Sequence, residues 1–376
     1  MGVFQDAIET FLGPIKAYLD DDSVSEVLVN GANEIFVERK GLLERVDAKF
    51  NDEQALLAAV RNIAQFVGRR IDEENPTLDA RLPDGSRVAA VIPPCSRKGT
   101  TLSIRKFSKG VPSFVDLINR GSISKEAARF IDVCVYLAKN MVISGGTGSG
   151  KTTLLNVIGG RIPPAQRLLI IEDSSELKIK TDHVVYFETK HPDEQGKGAV
   201  TIRDLIRSAL RLRPDRIIVG EVRGPEALDL IQAMSTGHGG SMGTTHANSP
   251  VEALVRLETL VMMGATNVPV AAIRRQICGA VHIVVQIKRM HDGSRKVTNI
   301  AEVVPDLDEK DRYQTRDIYR FVQRGKTPDG HIVGEMIPTG YIPSFYHEIE
   351  MNRLPFPKEK FTPPEWYDPT KYGEAA

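Results

Sequence analysis

The chain has few cysteines, a single tryptophan and no excess charge of either sign. Its 376 residues include three cysteines, Cys95, Cys134 and Cys278, in unrelated settings. This odd number indicates neither a disulfide framework nor a metal site, and we expect all three to be small buried residues. The 49 basic and 49 acidic residues cancel, so no overall field attracts the chain to nucleic acid or anionic lipid.

Long hydrophobic runs are also missing. No apolar segment approaches the ~18 residues that a membrane-spanning helix needs. The first residues, MGVFQD, lack the basic and apolar regions of a secretory signal. We therefore expect a cytoplasmic protein that is peripheral to a membrane only through partners. A hydrophobic content of 41% is ordinary for a globular protein, and the length predicts two or three domains.

The spacing of apolar residues predicts a small α+β domain over residues 1–107. Its antiparallel sheet is expected from strands at 24–30, 34–38, 42–46, 78–82, 87–92 and 100–106. A helix is predicted after Asn51, which would cap it, with Gln54 three residues later. Glycine and proline then interrupt both periodic patterns, so residues 108–113 are predicted to be a linker.

Strands alternate with helices over residues 114–280, which predicts a mostly parallel sheet covered on both faces. The predicted strands are 141–144, 168–172, 217–220 and 241–245, followed by a hairpin of 282–288 and 296–304. We assign residues 114–305 to this α/β domain and 306–376 to a C-terminal β-hairpin extension with its tail. The tail is rich in proline and aromatic residues and is expected to pack along its own body or a neighbouring subunit.

The sequence GGTGSGKT at residues 145–152 matches the phosphate-binding pattern G-x-x-x-x-G-K-[ST]. It follows an apolar strand and precedes a good helix former, the context that a P-loop requires. We expect Lys151 to reach the β- and γ-phosphates and the Thr152 hydroxyl to bind Mg²⁺. The residues predicted to cradle ATP or GTP are Gly146, Thr147, Gly148, Ser149, Gly150, Lys151, Thr152 and Thr153.

Two further apolar strands end in carboxylates. The segment IIVGE places Glu221 where a Walker B acid orients Mg²⁺ or water. The segment LLIIEDSSE presents Glu172 or Glu176 as a general base, with Asp173 fixing a neighbouring group. The alternative for this second segment is a helix cap built from Asp173 and Ser174.

Two histidines lie in the glycine-rich segment TGHGGSMGTTHANS at residues 236–249. A neutral imidazole can donate to a γ-phosphate or a catalytic carboxylate and so sense the bound nucleotide. We favour this role for His246. For His238 the sensor and structural interpretations stay open.

Arginines form the last candidate group. Arg203, Arg207 and Arg211 recur every four residues, which places them along one face of a predicted helix. This face is either exposed to solvent or a source of positive charge for phosphates at a subunit boundary. Arg81, Arg87 and Arg105 flank predicted strands of the first domain and are candidates for the same role.

Four ordered motifs now identify a resemblance: GGTGSGKTT, IIEDSSEL, RPDRIIVGEVRG and TGHGGSMGTTHANSP resemble the secretion ATPases of type II and type IV systems and of type IV pili. The segments GKGAVTIRDLIRSALRLRPDRIIVGEVRG, LPDGSRVAAVIPP, SIRKFS and PTGYIPSF are most similar to the CpaF branch, the assembly ATPases of Tad pili. The resemblance covers residues 24 to about 350.

The resemblance implies a RecA-like ATPase domain preceded by a sensor-like, PAS-like domain, in a six-subunit ring that binds nucleotide between the two domains. It implies Glu172 as general base, Glu221 as the Walker B acid, His246 in the His box and Arg105 as a phosphate contact. The implied function is an Mg-ATPase motor for a Tad or type IV-like pilus at an inner-membrane platform protein.

Three alternatives to the pilus motor stay open. A type IV secretion ATPase would export DNA or protein with the same fold. A nucleotide-gated scaffold would hydrolyse ATP negligibly, although the retained Lys151, Glu172 and Glu221 argue against it. A RecA-like helicase is disfavoured, because zero net charge and the lack of an aromatic and basic groove motif argue against direct nucleic-acid binding.

Overall fold

The computed structural model describes residues 11–39, 41–82, 84–107, 110, 112–190, 192, 196–265 and 268–372. The chain divides into two compact units, Met1–Gly110 and Val111–Ala376. Among the described residues, no helix is both long enough and apolar enough to cross a membrane.

The first unit is built on a six-stranded antiparallel sheet with strand order β3-β2-β1-β6-β5-β4. Its elements are α1 (Gly13–Asp20), β1 (Val24–Asn30), β2 (Ile35–Arg39), β3 (Leu42–Val46), α2 (Glu53–Phe66), β4 (Thr77–Arg81), β5 (Arg87–Val91) and β6 (Thr101–Arg105). The apolar residues of α2 face the sheet, and Leu56, Val60 and Ile63 are fully buried. The predicted α+β architecture is therefore present.

Helix α2 begins one residue later than predicted. Asp52, and not Asn51, is the capping residue, because its carboxylate accepts the backbone N–H of Ala55 at 2.7 Å. Asp52 has the extended backbone conformation that a cap needs, and Ala55 is the third residue of the helix. The Asn51 assignment was wrong by one position.

The three cysteines do not share one environment. Cys134 and Cys278 are buried, as predicted, and burial raises the pKa of the Cys278 thiol to about 11. Cys95 is exposed, so the prediction was wrong there. Cys95 follows Pro94 in the turn between β5 and β6, outside the alternation that buries one face of each strand.

The second unit contains a nine-stranded sheet with strand order β15-β14-β13-β12-β7-β11-β10-β8-β9. Pairing is parallel from β12 to β9 and antiparallel from β12 to β15. Its strands are β7 (Met141–Ser144), β8 (Leu168–Glu172), β9 (Val184–Glu188), β10 (Arg216–Val219), β11 (Met242–Thr245), β12 (Ile283–Arg289), β13 (Arg295–Val303), β14 (Thr315–Lys326) and β15 (Ile332–Pro338). Every residue of β7, β8, β10 and β11 is buried, as expected for parallel strands covered on both faces.

Helices cover both faces of this sheet. They are α3 (Phe114–Asn119), α4 (Lys125–Tyr136), α5 (Lys151–Gly159), α6 (Ile202–Ala209), α7 (Glu226–Ser235), α8 (Pro250–Gly264), α9 (Val270–Ala280), α10 (Tyr346–Met351) and α11 (Pro369–Tyr372), with a 3₁₀ turn at Lys358–Phe361. One core contains residues of α4 and α5, and the other contains residues of α7, α8 and α9.

The C-terminal tail forms part of the first of these cores, so it packs along its own body. Phe130 of α4 lies 5.7 Å from both Phe356 and Phe361, measured between ring centroids. Phe356 and Phe361 lie 5.3 Å apart. Such tilted and edge-on ring pairs are favourable beyond the area they bury.

A buried carboxylate fastens the start of the tail to the sheet. Glu302 of β13 is only 4% exposed. It accepts the Tyr341 hydroxyl at 2.8 Å, and the backbone N–H and hydroxyl of Ser344 at 3.0 and 2.5 Å. The PTGYIPSF segment therefore supplies the donors that satisfy an otherwise unpaired charge inside the protein.

Because the tail is part of the core, we expect Phe361→Ala to lower the free energy of unfolding by about 3–5 kcal/mol. Phe361 is 1% exposed, so the change leaves a cavity. Met351→Ala is the matched control, since Met351 is 79% exposed, and it should change stability by less than ~0.5 kcal/mol. Denaturant unfolding measures both variants. Equal, small effects would show that the tail contributes nothing to the core.

Candidate nucleotide-binding site

The P-loop joins β7 to α5 and requires glycine at specific positions. Gly148 and Gly150 have φ values of 67° and 98°, the left-handed region in which side chains are strained. A Cβ atom at Gly145 would collide with the Ile287 carbonyl oxygen and the Ser149 hydroxyl. Ser149 is buried, and its hydroxyl donates to the Gly146 carbonyl at 2.8 Å. The loop is therefore a preformed concave backbone at a helix N-terminus, which suits a polyphosphate.

The remaining predicted cradle residues differ in exposure. Gly146, Thr147 and Thr153 are exposed, and Thr152 is half-buried in the first turn of α5. Lys151 is 7% exposed, and its Nζ donates to the carbonyls of Gly145 and Gly146 at 3.0 and 3.1 Å. The ammonium therefore lies within the curl of the loop that the motif assigns to phosphate.

Glu172 ends β8 and is 3% exposed. Its carboxylate accepts the backbone N–H groups of Glu176 at 2.9 Å and Leu177 at 3.1 Å. The chain after β8 is not helical, so the alternative of a helix cap at Asp173 and Ser174 is wrong. The carboxylate of Glu172 organises this segment instead.

The environment of Glu172 suits a general base. Burial raises the pKa of this carboxyl from 4.5 to about 7, against the two backbone hydrogen bonds, which lower it. A base whose pKa lies near the working pH takes up a proton most effectively. Gly220 makes room for the side chain, because a Cβ at that position would lie 2.8 Å from Cγ of Glu172.

Glu221 lies on the loop after β10 and keeps its charge. Burial raises its pKa, but a 2.5 Å hydrogen bond from Arg223 and the positive charges of Arg223 and Lys151 outweigh it, so the pKa is lowered overall. The two carboxyl groups therefore have opposite tendencies, a raised pKa at Glu172 and a lowered one at Glu221. Such a pair matches a division into a proton acceptor and a permanently charged group.

His246 follows β11 and lies between the side chains of Glu221 and Lys151. Its Nε2 is 2.7 Å from Oε1 of Glu221 and 3.3 Å from Nζ of Lys151. Partial burial and the charge of Lys151 lower the pKa of the imidazole, so it is neutral at neutral pH. Since Nε2 of a neutral imidazole either donates or accepts, Lys151 and Glu221 compete for it. This arrangement is suited to respond when a phosphate approaches Lys151.

His238 does not reach this site. It lies in the loop before β11, whereas His246 lies just after that strand. The four residues of β11 separate the two histidines by about 13 Å, at opposite edges of the sheet. Of the two interpretations left open, the structure therefore favours the structural role for His238.

Arg203, Arg207 and Arg211 do not form one equivalent set in the structure. Arg203 and Arg207 of α6 both donate to Asp229 of α7 at 2.8 Å, which joins the two helices. Helix α6 ends at Ala209, so Arg211 lies beyond the helix that was predicted to carry all three arginines. The nucleotide-binding role of Arg207 and Arg211 stays a prediction.

The first unit brings its three candidate arginines into one row. Arg81 pairs with Arg87 across β4 and β5, and Arg87 pairs with Arg105 across β5 and β6. Directly opposite residues point to the same face with Cβ atoms about 5 Å apart, and like charges there are destabilising. The row continues with Glu26 of β1, which lies directly opposite Arg105, so Arg105 has a carboxylate on one side and Arg87 on the other. The anion-binding role of this face stays a prediction.

A cavity of about 540 Å³ lies between the P-loop turn and the carboxyl end of β12. Sequence reasoning missed its other residues, among them Gln286 and Arg289. On β13, Arg295 donates from Nε to the Gly148 carbonyl at 3.3 Å. The basic residues around the hairpin turn were the available signal, but only the parallel pairing of β12 with β7 places them beside the loop.

The residues present fit Mg²⁺ with a nucleotide. Glu221 is a half-buried, ionised carboxylate, and Thr152 lies in the first turn of the helix that follows the loop. Oxygen ligands of this kind, few in number and completed by substrate phosphates, are typical of Mg²⁺ sites. Thr152 and Glu221 are therefore the residues that would hold the metal.

The sequence was compared with family models and with known proteins, and both comparisons find secretion-related proteins. The family model "Type II/IV secretion system protein" matches residues 9–329. A Mycobacterium tuberculosis protein named "Putative conjugal transfer protein Rv3659c" is 36% identical over 298 residues, covering 78% of this chain and 84% of that protein. The type IV secretion system protein VirB11 of Brucella suis is 33% identical over 332 residues, covering 81% and 91% of the two chains.

Solved structures show the same fold. The ATPase DotB of Legionella pneumophila superposes with a TM-score of 0.55 at 21% sequence identity, covering 81% of each chain. The predicted α/β fold class, a RecA-like unit preceded by a small α+β unit, is confirmed.

If Glu172 is the base, Glu172→Gln abolishes turnover, and wild-type turnover falls as pH drops through about 7. The raised pKa also means that the folded wild type loses stability as pH rises from 4.5 to about 7, because ionisation is penalised by burial. The stability advantage of Glu172→Gln should therefore grow by up to ~3 kcal/mol across this range. Urea unfolding at both ends of the range measures it, and a pH-independent difference would contradict the assignment.

We expect Arg105→Ala to reduce Mg-ATP turnover at least tenfold through loss of phosphate charge. Its side chain is exposed, with Arg87 directly opposite on one side and Glu26 on the other, so the two charge effects offset each other and the melting temperature should change little. Arg97→Ala, an exposed arginine in the same unit, is the control and should keep full activity. A large fall in melting temperature for Arg105→Ala would indicate a packing role instead.

Proposed function

Because the chain belongs to the type II/IV secretion system protein family, we propose that it is an ATP-driven motor for assembly of a Tad-like pilus. The chain is an ATPase, as its family membership establishes. The observation that carries the hydrolytic function is the pair of carboxyl groups at the carboxyl ends of β8 and β10, at the same edge of the sheet as the P-loop. Burial raises the pKa of Glu172 to about 7, whereas the pKa of Glu221 is lowered.

The geometry assigns a task to each group in hydrolysis. Glu172 takes a proton from a water molecule while the water oxygen attacks the γ-phosphorus. The bond between the γ-phosphorus and the β–γ bridging oxygen breaks, which releases ADP. Lys151 neutralises charge on the β- and γ-phosphates. Mg²⁺, when bound by Thr152 and Glu221, supplies further positive charge to the phosphate oxygens.

His246 and the arginines complete the proposed mechanism. His246 contacts both Glu221 and Lys151, so it links the charge state of the phosphate site to the Walker B acid. Arg105, with Arg81 and Arg87 in the same row, supplies further positive charge to the bound nucleotide. Fixed guanidinium groups stabilise phosphoryl transfer because their charge requires no reorganisation. Arg207 and Arg211 are proposed to act in the same way at a subunit boundary.

We propose a hexameric ring that works at an inner-membrane platform protein and reaches the membrane through that partner. The pilus assignment is supported by the segments LPDGSRVAAVIPP and PTGYIPSF, which resemble the Tad branch. The second of these segments has a defined role here, since Tyr341 and Ser344 bind the buried Glu302.

A second candidate is a type IV secretion ATPase that exports DNA or protein. The relatives named as conjugal transfer protein and VirB11 favour it. The two functions share the same hydrolytic site, so they differ in the machine that is driven and not in the chemistry.

Deletion of the gene in its own host distinguishes these functions. We expect loss of surface pili by electron microscopy, with DNA and protein export unchanged, and restoration by the wild-type gene. Loss of export with normal pili would overturn the pilus assignment in favour of the secretion ATPase.

Complementation with Lys151→Ala is the matched control for motor activity. The variant should not restore pili, because Lys151 can no longer neutralise the transferred phosphate. Full restoration of pili by this variant would mean that the protein acts as a scaffold without hydrolysis.

A further inference from the structure

Gln286 is the buried middle residue of β12, paired with Ser144 at the end of β7, and it lines the cavity beside the P-loop. It is 3% exposed. Its Nε2 donates to the Ala247 carbonyl at 3.0 Å, and the Ser144 hydroxyl lies a longer 3.5 Å from the same oxygen. Gln286 therefore holds the backbone immediately after His246.

Among the described residues, the side-chain amide of Gln286 makes a hydrogen bond through Nε2 and none through Oε1. Because Nε2 must donate to a carbonyl, the orientation of the amide is determined, and Oε1 faces the other way. Within the described part of the chain, Oε1 is buried and accepts no hydrogen bond. A buried acceptor without a partner costs stability, and methionine of similar size would avoid that cost. Packing therefore does not explain glutamine at this position, whereas the bond to Ala247 does.

The loop that carries His246 is held on both sides of Ala247, and the Ala247 side chain packs against the core of α7, α8 and α9. Asn248 is held by Glu252, which accepts from its backbone N–H at 3.0 Å and its side-chain amide at 3.1 Å. Before His246, the Thr245 carbonyl accepts the Gly145 N–H at 3.4 Å. The His246 side chain is 40% exposed, so packing alone does not hold it. The hydrogen bond at Ala247 is the central constraint between these two ends.

We propose that Gln286 is a positioning residue for ATP hydrolysis, because its bond to the Ala247 carbonyl holds the His246 imidazole between Lys151 and Glu221. Gln286 acts through His246 and needs no contact with the nucleotide. Loss of this bond frees the backbone at Ala247, so Nε2 of His246 no longer stays 2.7 Å from Glu221. The proposal rests on the role of His246 in the proposed function.

A double-mutant cycle tests this dependence. Steady-state Mg-ATP turnover is measured for wild type, Gln286→Met, His246→Ala and the double variant. We expect each single variant to lower kcat about tenfold or more, with KM nearly unchanged, because neither residue binds the ground-state nucleotide. The double variant should equal His246→Ala, since Gln286 has no further effect once the imidazole is gone.

The experiment distinguishes failure of the role assigned to Gln286 from failure of the role assigned to His246. If His246→Ala lowers kcat and the loss in the double variant is the product of the single losses, Gln286 does not act through His246 and the proposal is overturned. An unchanged kcat for Gln286→Met also overturns it. If His246→Ala has full activity, the role of His246 fails and that of Gln286 fails with it.

Two further variants separate positioning from a general effect on the strand. Thr298→Val is the matched control, because the Thr298 hydroxyl lies 3.4 Å from the backbone carbonyl of Gln286 and does not touch Ala247. It should keep wild-type kcat, and a loss equal to that of Gln286→Met would overturn the proposal. Should Gln286→Met fail to fold, Ser144→Ala removes the weaker contact to the same Ala247 carbonyl. A smaller fall in kcat that disappears in the His246→Ala background supports the proposal, and an additive fall overturns it.

Discussion

Parallel pairing of β7, β11, β10 and β8 is the constraint on which the site depends. Because these strands run in one direction, their carboxyl ends meet at a single edge of the sheet. Glu172 ends β8, and the other three strands are followed by the P-loop, Glu221 and His246. These four groups therefore lie at one edge of the sheet although they are far apart in sequence. The amino ends meet at the opposite edge, which is where His238 lies. This agrees with the general position of ligand sites in open α/β sheets.

Burial at that edge gives the two carboxyl groups different chemistry. The Glu172 carboxylate accepts two backbone N–H groups, and the cost of burying its charge raises its pKa to about 7. Glu221 has Arg223 and His246 beside it, and its charge is retained. The fold therefore contains a destabilising buried carboxyl group at the position where the proposed mechanism places its base, and the two hydrophobic cores around the sheet stabilise it. Functional residues commonly carry this kind of local cost.

The antiparallel half of the sheet connects the site to the rest of the second unit. Strand β12 pairs with β7 on one side and with β13 on the other. Its end therefore lies beside the P-loop, while β13 carries Glu302, which fastens the tail. Asp292, in the turn between β12 and β13, accepts the backbone N–H of Ile332 at 2.8 Å and so joins this hairpin to β15. Part-buried hydrogen bonds therefore connect both the hairpin with β15 and β13 with the tail.

The sequence by itself determined the P-loop motif and the bounds of β7 and β8, and it indicated Glu172, Glu221 and His246 as candidate site residues. These follow from local rules: a glycine pattern fixed by backbone conformation, and apolar strands whose ends carry polar groups. Strand β9 was not predicted, and a β-hairpin was expected within residues 306–376 without the bounds of β14 and β15. The half-exposed residues of these three strands give no strong period, and their stability comes from neighbouring strands. The packing of Phe356 and Phe361 against Phe130 depends on contacts more than 200 residues apart, which no local pattern contains. Only the tertiary structure decided that Gln286 holds Ala247, that Arg207 pairs with Asp229, and that Arg81, Arg87 and Arg105 form one row. Pairing register and burial set these contacts, and both arise only when distant segments pack together.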